Sequence, residues 1–142
     1  MRRTLLALLS TFAAGAAVAQ VTTHDLAVQA LMATKVNPAA LAFWAGGNDP
    51  PEGETAAQAE ARWAAALKGA QDLQAGGRDL LKHSRPGRWD EFARLMIEGG
   101  EKGEAAARAK DMDAAFLVGG DQVYNACNGC HKTYIPTPAR LP

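Results

Sequence analysis

The sequence predicts an all-α fold, an antiparallel four-helix bundle. Three observations carry that expectation. The 142-residue chain is rich in Ala, Leu, Glu, Lys, Arg and Gln, the residues that lose least on entering a helix. Apolar residues recur at helical spacing in four segments separated by short connections rich in Gly, Pro and Asp. No run of β-branched residues is bounded by turn signals, so strands are not expected. Four helices of this length joined by short loops pack most simply as antiparallel neighbours. There is no convincing internal repeat.

The first helix is expected to begin near Thr22 or Thr23, where Thr22-Thr23-His24-Asp25 resembles a capping box. Its stripe runs through Leu26, Ala30, Leu31 or Met32, Val36, Ala40 and Phe43-Trp44. Asn37-Pro38 should kink or break it, because proline removes a backbone donor and clashes with the preceding turn. The stretch from Gly46 through Asp49-Pro50-Pro51 to Gly53 reads as a loop. The second helix is expected from about Glu54 to about Leu73, with Trp63, Leu67, Ala70 and Leu73 as its apolar stripe. Gly76-Gly77 should interrupt it before Asp79-Leu80-Leu81-Lys82-His83, and Ser84-Arg85-Pro86-Gly87 ends the segment. The third helix aligns Trp89, Phe92, Leu95-Met96, Gly99 and Gly103 and continues to about Lys110. Glycines four apart on that stripe allow close helix approach, unless Gly99-Gly100 bends the helix instead. The fourth starts near Asp111 or Asp113, carries Phe116, Leu117 and Val123-Tyr124, and closes after Tyr134 at Pro136 and Pro138.

The last helix also carries Cys127-Asn128-Gly129-Cys130-His131. The spacing C-x-x-C-H reads as a c-type haem attachment site. Two thiols must reach the two vinyl groups of one porphyrin, and residues three apart share a helix face. His131, four residues from Cys127, shares that face, and histidine is the common proximal haem ligand. Three other readings compete. Cys127 and Cys130 could form a structural disulfide. They could form a thioredoxin-like redox pair, which would need a βαβ context that the sequence does not supply. They could bind zinc, which wants four ligands, and only His24 and His83 remain, both distant in sequence. The haem reading completes the expected fold class: a four-helix bundle with covalently attached haem on the last helix.

The start of the chain bears on this. Met1-Arg2-Arg3 is basic, residues 4–18 are rich in Leu and Ala, and Ala17-Val18-Ala19 matches a small-x-small cleavage pattern. Residues 1–19 are therefore expected to be a cleaved secretory signal, and the apolar stretch is shorter than the roughly 20 residues of a membrane span. Residues 20–142 are then a single haem domain of 123 residues with 13 basic and 15 acidic side chains. That balance suggests neither nucleic acid nor an anionic membrane surface as partner, and no stable membrane insertion is expected. Export agrees with the haem reading, since c-type haem is attached outside the cytoplasm in bacteria, and the expected location is the periplasm.

Only eleven residues follow His131, and no methionine is among them, so a distal protein ligand must come from upstream. The export signal, four helices and the C-terminal Cys127-Asn128-Gly129-Cys130-His131-Lys132-Thr133-Tyr134 together resemble the class II cytochromes c, the cytochromes c′ and their low-spin c-556-like relatives. The resemblance spans essentially the whole mature chain, and its specific part is the haem motif with Tyr134. It implies a left-handed four-helix bundle with one covalent haem c, held by Cys127 and Cys130, with His131 proximal. It also implies a distal face covered by the first helix. In the low-spin relatives a methionine early in that helix binds iron, and Met32 stands in that region. In cytochromes c′ an apolar side chain blocks the face and iron is five-coordinate. Leu31 would be that cap, and Met32 a core residue. The Pro38 break and residues 39–44 depart from a simple cytochrome c′ first helix.

The cofactor-binding residues expected are thus Cys127, Cys130, His131 and Met32, with His131 and Met32 on the metal. The expected function is one-electron transfer in the periplasm, with transient redox-protein partners. A five-coordinate protein binding NO or CO is the alternative. Class II relatives are often dimers, so a homodimer is compatible. Tyr134 is expected to pack near the haem, and Trp44, Trp63 and Trp89 to be core or edge aromatics. His24 and His83 read as surface residues, and Glu101 and Glu104 as a solvated helix face. No nucleophile–base pattern and no phosphate loop is present, so no enzymatic activity is expected.

Overall fold

A computed structural model describes residues 26–135. The expected signal, the Thr22 start of the first helix, His24 and the closing prolines lie outside the described residues. Among the described residues all regular structure is helical, as four helices around one core. Helix α1 spans Leu26–Gly47 and includes a π-helical turn at Met32–Val36. Helix α2 spans Ala56–Leu81 and α3 spans Trp89–Ala109. Helix α4 is built from Met112–Val118, a second π-helical turn at Gly119–Val123, and Tyr124–Tyr134.

Local chemistry explains the boundaries. Thr55 caps α2 through a full capping box: its hydroxyl accepts from the Gln58 amide, and its own amide donates to Gln58 Oε1 at 2.8 Å. Lys110, at φ 53°, ends α3 in the left-handed conformation. Asp111 then opens α4 by accepting from the Ala114 amide at 2.9 Å.

Neither α1 nor α2 breaks where a kink or interruption was expected. At Pro38 the helix continues but is distorted. The chain widens by one residue just before it, and the Asn37 amide donates to the Met32 carbonyl, five residues back. Gly76 and Gly77 do not interrupt α2, because tertiary packing fills the space that their missing side chains leave. A Cβ on Gly76 would sit 2.8 Å from Val36 Cγ2 of α1, and one on Gly77 would sit 2.6 Å from Ile97 Cγ1 of α3.

The core joins Val36, Ala39, Ala40 and Phe43 of α1 to Trp63, Ala66, Ala70 and Leu73 of α2. From α3 and α4 come Trp89, Met96, Val123 and Ala126, and no charged or polar side chain is buried among the described residues. Small residues set the helix spacing. A Cβ on Gly69 would lie 2.6 Å from the Ala39 carbonyl, and one on Gly100 would lie 2.7 Å from the Ala70 carbonyl. Backbone therefore meets backbone at both crossings. Gly103 faces the Phe43 ring, and Gly99 faces Val123, so the glycines of α3 serve close approach rather than a bend. Helix α1 is long and apolar enough to cross a membrane by length and composition, yet its buried side chains belong to this core. Glu104 is not simply solvated: it accepts from Gln71 and Gln74 of α2 and from Arg108, and these donors lower its pKa to about 2.

Candidate functional site

A cavity of about 810 Å³ opens where the start of α1, the end of α2, the start of α3 and the end of α4 meet. Its volume falls within the roughly 300–1,000 Å³ of small-molecule and cofactor sites. Its walls are mostly apolar, with Val36 and Ala40 from α1, Leu80 from α2, and Phe92 and Met96 from α3. All four expected site residues line it: Met32, Cys127, Cys130 and His131. Leu31, the other candidate for the α1 cap, does not line the cavity and packs partly buried against the core instead.

The final segment of α4 brings the motif together. Cys127 and Cys130 are both half-buried, and both thiols are free. Burial pushes the Cys127 thiol pKa up, and Cys130 beside it adds to the effect. Burial raises Cys130 as well, partly offset by the positive charge of Arg85. Both side chains therefore stay protonated at neutral pH, as neutral S–H groups on an apolar wall. His131 is exposed and lines the cavity. Gly129, between the cysteines, is pressed on the Phe92 ring, where no Cβ fits. This contact fixes α4 against α3 at the cavity edge. The Tyr124–Tyr134 segment packs on α3, whereas the Met32–Val36 turn packs on α2. Met32 thus belongs to a different wall from the thiols and the imidazole.

The rim contains residues whose grouping the sequence spacing did not reveal. Trp89, nearly fully buried, donates its indole N–H to the Leu80 carbonyl at 2.8 Å. Tyr134 meets Trp89 edge-on at 5.1 Å between centroids, and its hydroxyl donates to the Pro86 carbonyl at 2.7 Å. Tyr134 also lines the cavity. Arg85 lies over the Trp89 ring at 4.4 Å and lines the cavity, bringing a guanidinium to a mostly apolar surface. Met96, nearly fully buried, supplies a second thioether to the lining. Met112 does not reach the cavity. Trp63 is core and Trp44 half-buried, as expected of packing aromatics. His83 is half-buried and has an interaction partner.

The donor set fits a porphyrin better than a bare metal. Among the described residues no group of three or more His, Cys, Asp or Glu could hold a metal ion. Two thiols three residues apart, an imidazole next to them and a thioether on another wall of one apolar cavity match the needs of a flat, mostly apolar ring with iron at its centre. No family model matches the chain, and no similar curated protein or solved structure was found.

Proposed function

We propose that the chain is a periplasmic c-type cytochrome of class II type, a four-helix haem bundle that carries single electrons between partner proteins. The observation that carries this reading is the convergence of Cys127, Cys130, His131 and Met32 on one apolar cavity. Cys127 and Cys130 would hold the haem. Their two S–H groups would supply the two thioether links to the vinyl groups of the porphyrin, an addition that needs no oxidant. Bound haem would supply a one-electron ferric/ferrous couple. His131 would bind iron from the α4 side. Met32 would bind from α1, and a thioether favours electron transfer by keeping six ligands in both oxidation states. Trp89, Phe92 and Val36 line the cavity with apolar surface that would keep water from a bound haem, and burial of this kind tunes the potential. Partners would dock weakly and briefly at an exposed haem edge, as redox encounters do.

A second reading has a specific observation behind it. The cavity is about 810 Å³ and mostly apolar, so a distal face left without Met32 would have room to bind NO or CO. The deciding experiment is the visible spectrum of protein matured in a haem-attaching periplasm, oxidised and reduced, with and without CO. Split, sharp reduced bands with weak CO response support the electron carrier. They should become high-spin in Met32→Ala and stay unchanged in Met96→Ala. Broad reduced bands with rapid CO binding would replace electron transfer by gas binding. Loss of all haem on a denaturing gel would end both readings.

A further inference from the structure

Arg85 stands in the turn between α2 and α3, half-buried, with its guanidinium over the Trp89 ring. The platform beneath it is held from three sides. Trp89 opens α3, donates its indole N–H to the Leu80 carbonyl near the end of α2, and meets Tyr134 of α4 edge-on. Tyr134 in turn donates to the carbonyl of Pro86, the residue after Arg85. The ring and the backbone that place the guanidinium are therefore both tied down. A stacked guanidinium presents its N–H groups in its own plane, as a fork that matches the two oxygens of a carboxylate.

Charge narrows what this fork would meet. Among the residues that line the cavity, Arg85 is the only lysine, arginine, aspartate or glutamate. A fixed positive charge on a mostly apolar wall favours an anion in the space beside it, because little water is there to screen the attraction. Haem brings two carboxylates, the propionates, besides its vinyl groups and iron. The thiols answer the vinyls, and His131 and Met32 answer the iron, but none of these four answers a carboxylate. The pyrroles that bear the propionates adjoin those that bear the vinyls, and the Arg85 charge is close enough to α4 to act on the Cys130 thiol.

We propose that Arg85 is the propionate-binding residue of this cavity, its guanidinium held on the Trp89 face to pair with one carboxylate of the haem. This rests on the haem reading of the cavity and not on Met32 as a ligand. A neighbouring positive charge favours the ionised form of a carboxylate, whereas an apolar wall alone favours the protonated form. A propionate paired with Arg85 thus stays ionised in mild acid, and without Arg85 it takes up a proton there. A carboxylate that becomes charged stabilises ferric over ferrous iron, so the potential falls as pH rises through its titration. The other titratable groups on the lining are Cys127, Cys130, His131, Tyr124 and Tyr134. Wild type and the variants below share all five.

The test compares wild type, Arg85→Gln, Arg85→Lys and Arg88→Gln, each the full chain matured with haem. Arg88 belongs to the same turn but does not line the cavity. Reduction potential and the propionate bending modes in resonance Raman spectra would be followed between about pH 5 and pH 8. Arg85→Gln should gain a fall in potential with rising pH that wild type lacks, and one bending mode should shift. Arg85→Lys keeps the charge and should keep the wild-type pH profile, even though it loses the stacked fork. Arg88→Gln should match wild type. Arg85→Gln with wild-type profile and modes overturns the inference and leaves the haem reading standing. Equal changes in Arg85→Gln and Arg85→Lys also overturn it, since packing on Trp89 would then be the whole role. An Arg88→Gln profile like that of Arg85→Gln overturns it in favour of general surface charge. Wild type alone gives an arm that needs no variant to fold: if both propionate modes shift across this pH range, no propionate is paired. Absence of covalent haem from matured wild type overturns the haem reading and the inference together.

Discussion

The indole N–H of Trp44 donates to the Gly119 carbonyl at 3.2 Å, tying the helix that carries Met32 to the helix that carries Cys127, Cys130 and His131. The acceptor lies in the second π-helical turn and also receives the Tyr124 amide, five residues on. A side chain at Gly119 would come within 2.7 Å of Trp44 Cδ1, so glycine is required for the indole to reach. Trp44→Phe keeps most of the ring and removes the donor. It should cost about 1 kcal/mol, the net worth of one hydrogen bond. Urea unfolding monitored by far-UV circular dichroism measures this, and a cost near zero would show that the bond does not tie the two helices.

Gly129→Ala should be more harmful than an ordinary glycine-to-alanine change in a helix, which usually stabilises. The added methyl meets the Phe92 ring, and overpacking of this kind costs roughly 1–3 kcal/mol. Phe92→Leu should relieve part of it, so the double variant should lose less than the sum of the singles. Strict additivity in thermal unfolding would rule out the contact as the cause.

Tyr134→Phe removes the hydroxyl that donates to the Pro86 carbonyl and leaves the edge-on contact with Trp89. The expected loss is about 0.5–1.5 kcal/mol. The structural consequence should be confined to residues 82–88, whose amide exchange should speed up while that of α2 does not. Equal acceleration throughout α2 would refute this confinement.

Asp79 carries a pH-dependent part of the stability. Hydrogen bonds from Lys35 and then Lys82 hold its pKa down at about 2, below the ordinary carboxylate value. A folded pKa below the unfolded one means stability that is fully present above the unfolded value, near 4. It is lost as pH falls toward 2. The pair is partly solvated, so its size is that of a surface ion pair, about 0.2–1 kcal/mol. Asp79→Asn should lower stability at pH 7 and leave it nearly unchanged at pH 2. An equal loss at both pH values would exclude the ionic origin.

Much of this architecture was legible in local chemistry. Asp111 and the loop through Pro50-Pro51 mark helix ends by rules that act over a few residues, whereas the Thr55 capping box, one residue past the expected Glu54 start, was not picked out. The C-x-x-C-H spacing is likewise local, and Cys127, Cys130 and His131 share one cavity wall. What was not legible depends on partners far along the chain. Pro38 and Gly76-Gly77 are helix breakers in isolation. They are tolerated because Val36 seats against Gly76, and because a wide turn absorbs the proline. Arg85 and Trp89 flank a loop whose place at the cavity rim is set by Tyr134, some fifty residues away. That Met32 and not Leu31 lines the cavity depends on how α1 packs on its neighbours, which the spacing alone left open.

The crossings at Gly69 and Gly100 have a consequence for how the molecule opens. Alanine and glycine have no rotamers to exchange, so contacts between backbones cannot loosen gradually. Residues 66–73 and 99–106 should exchange their amide hydrogens only through global unfolding. Residues 26–31 and 133–135, at the cavity end with few buried neighbours, should exchange through local fraying at a small fraction of that free energy. The protein is thus a stiff half joined to a compliant half, and the compliant half is the one a bulky cofactor would have to enter.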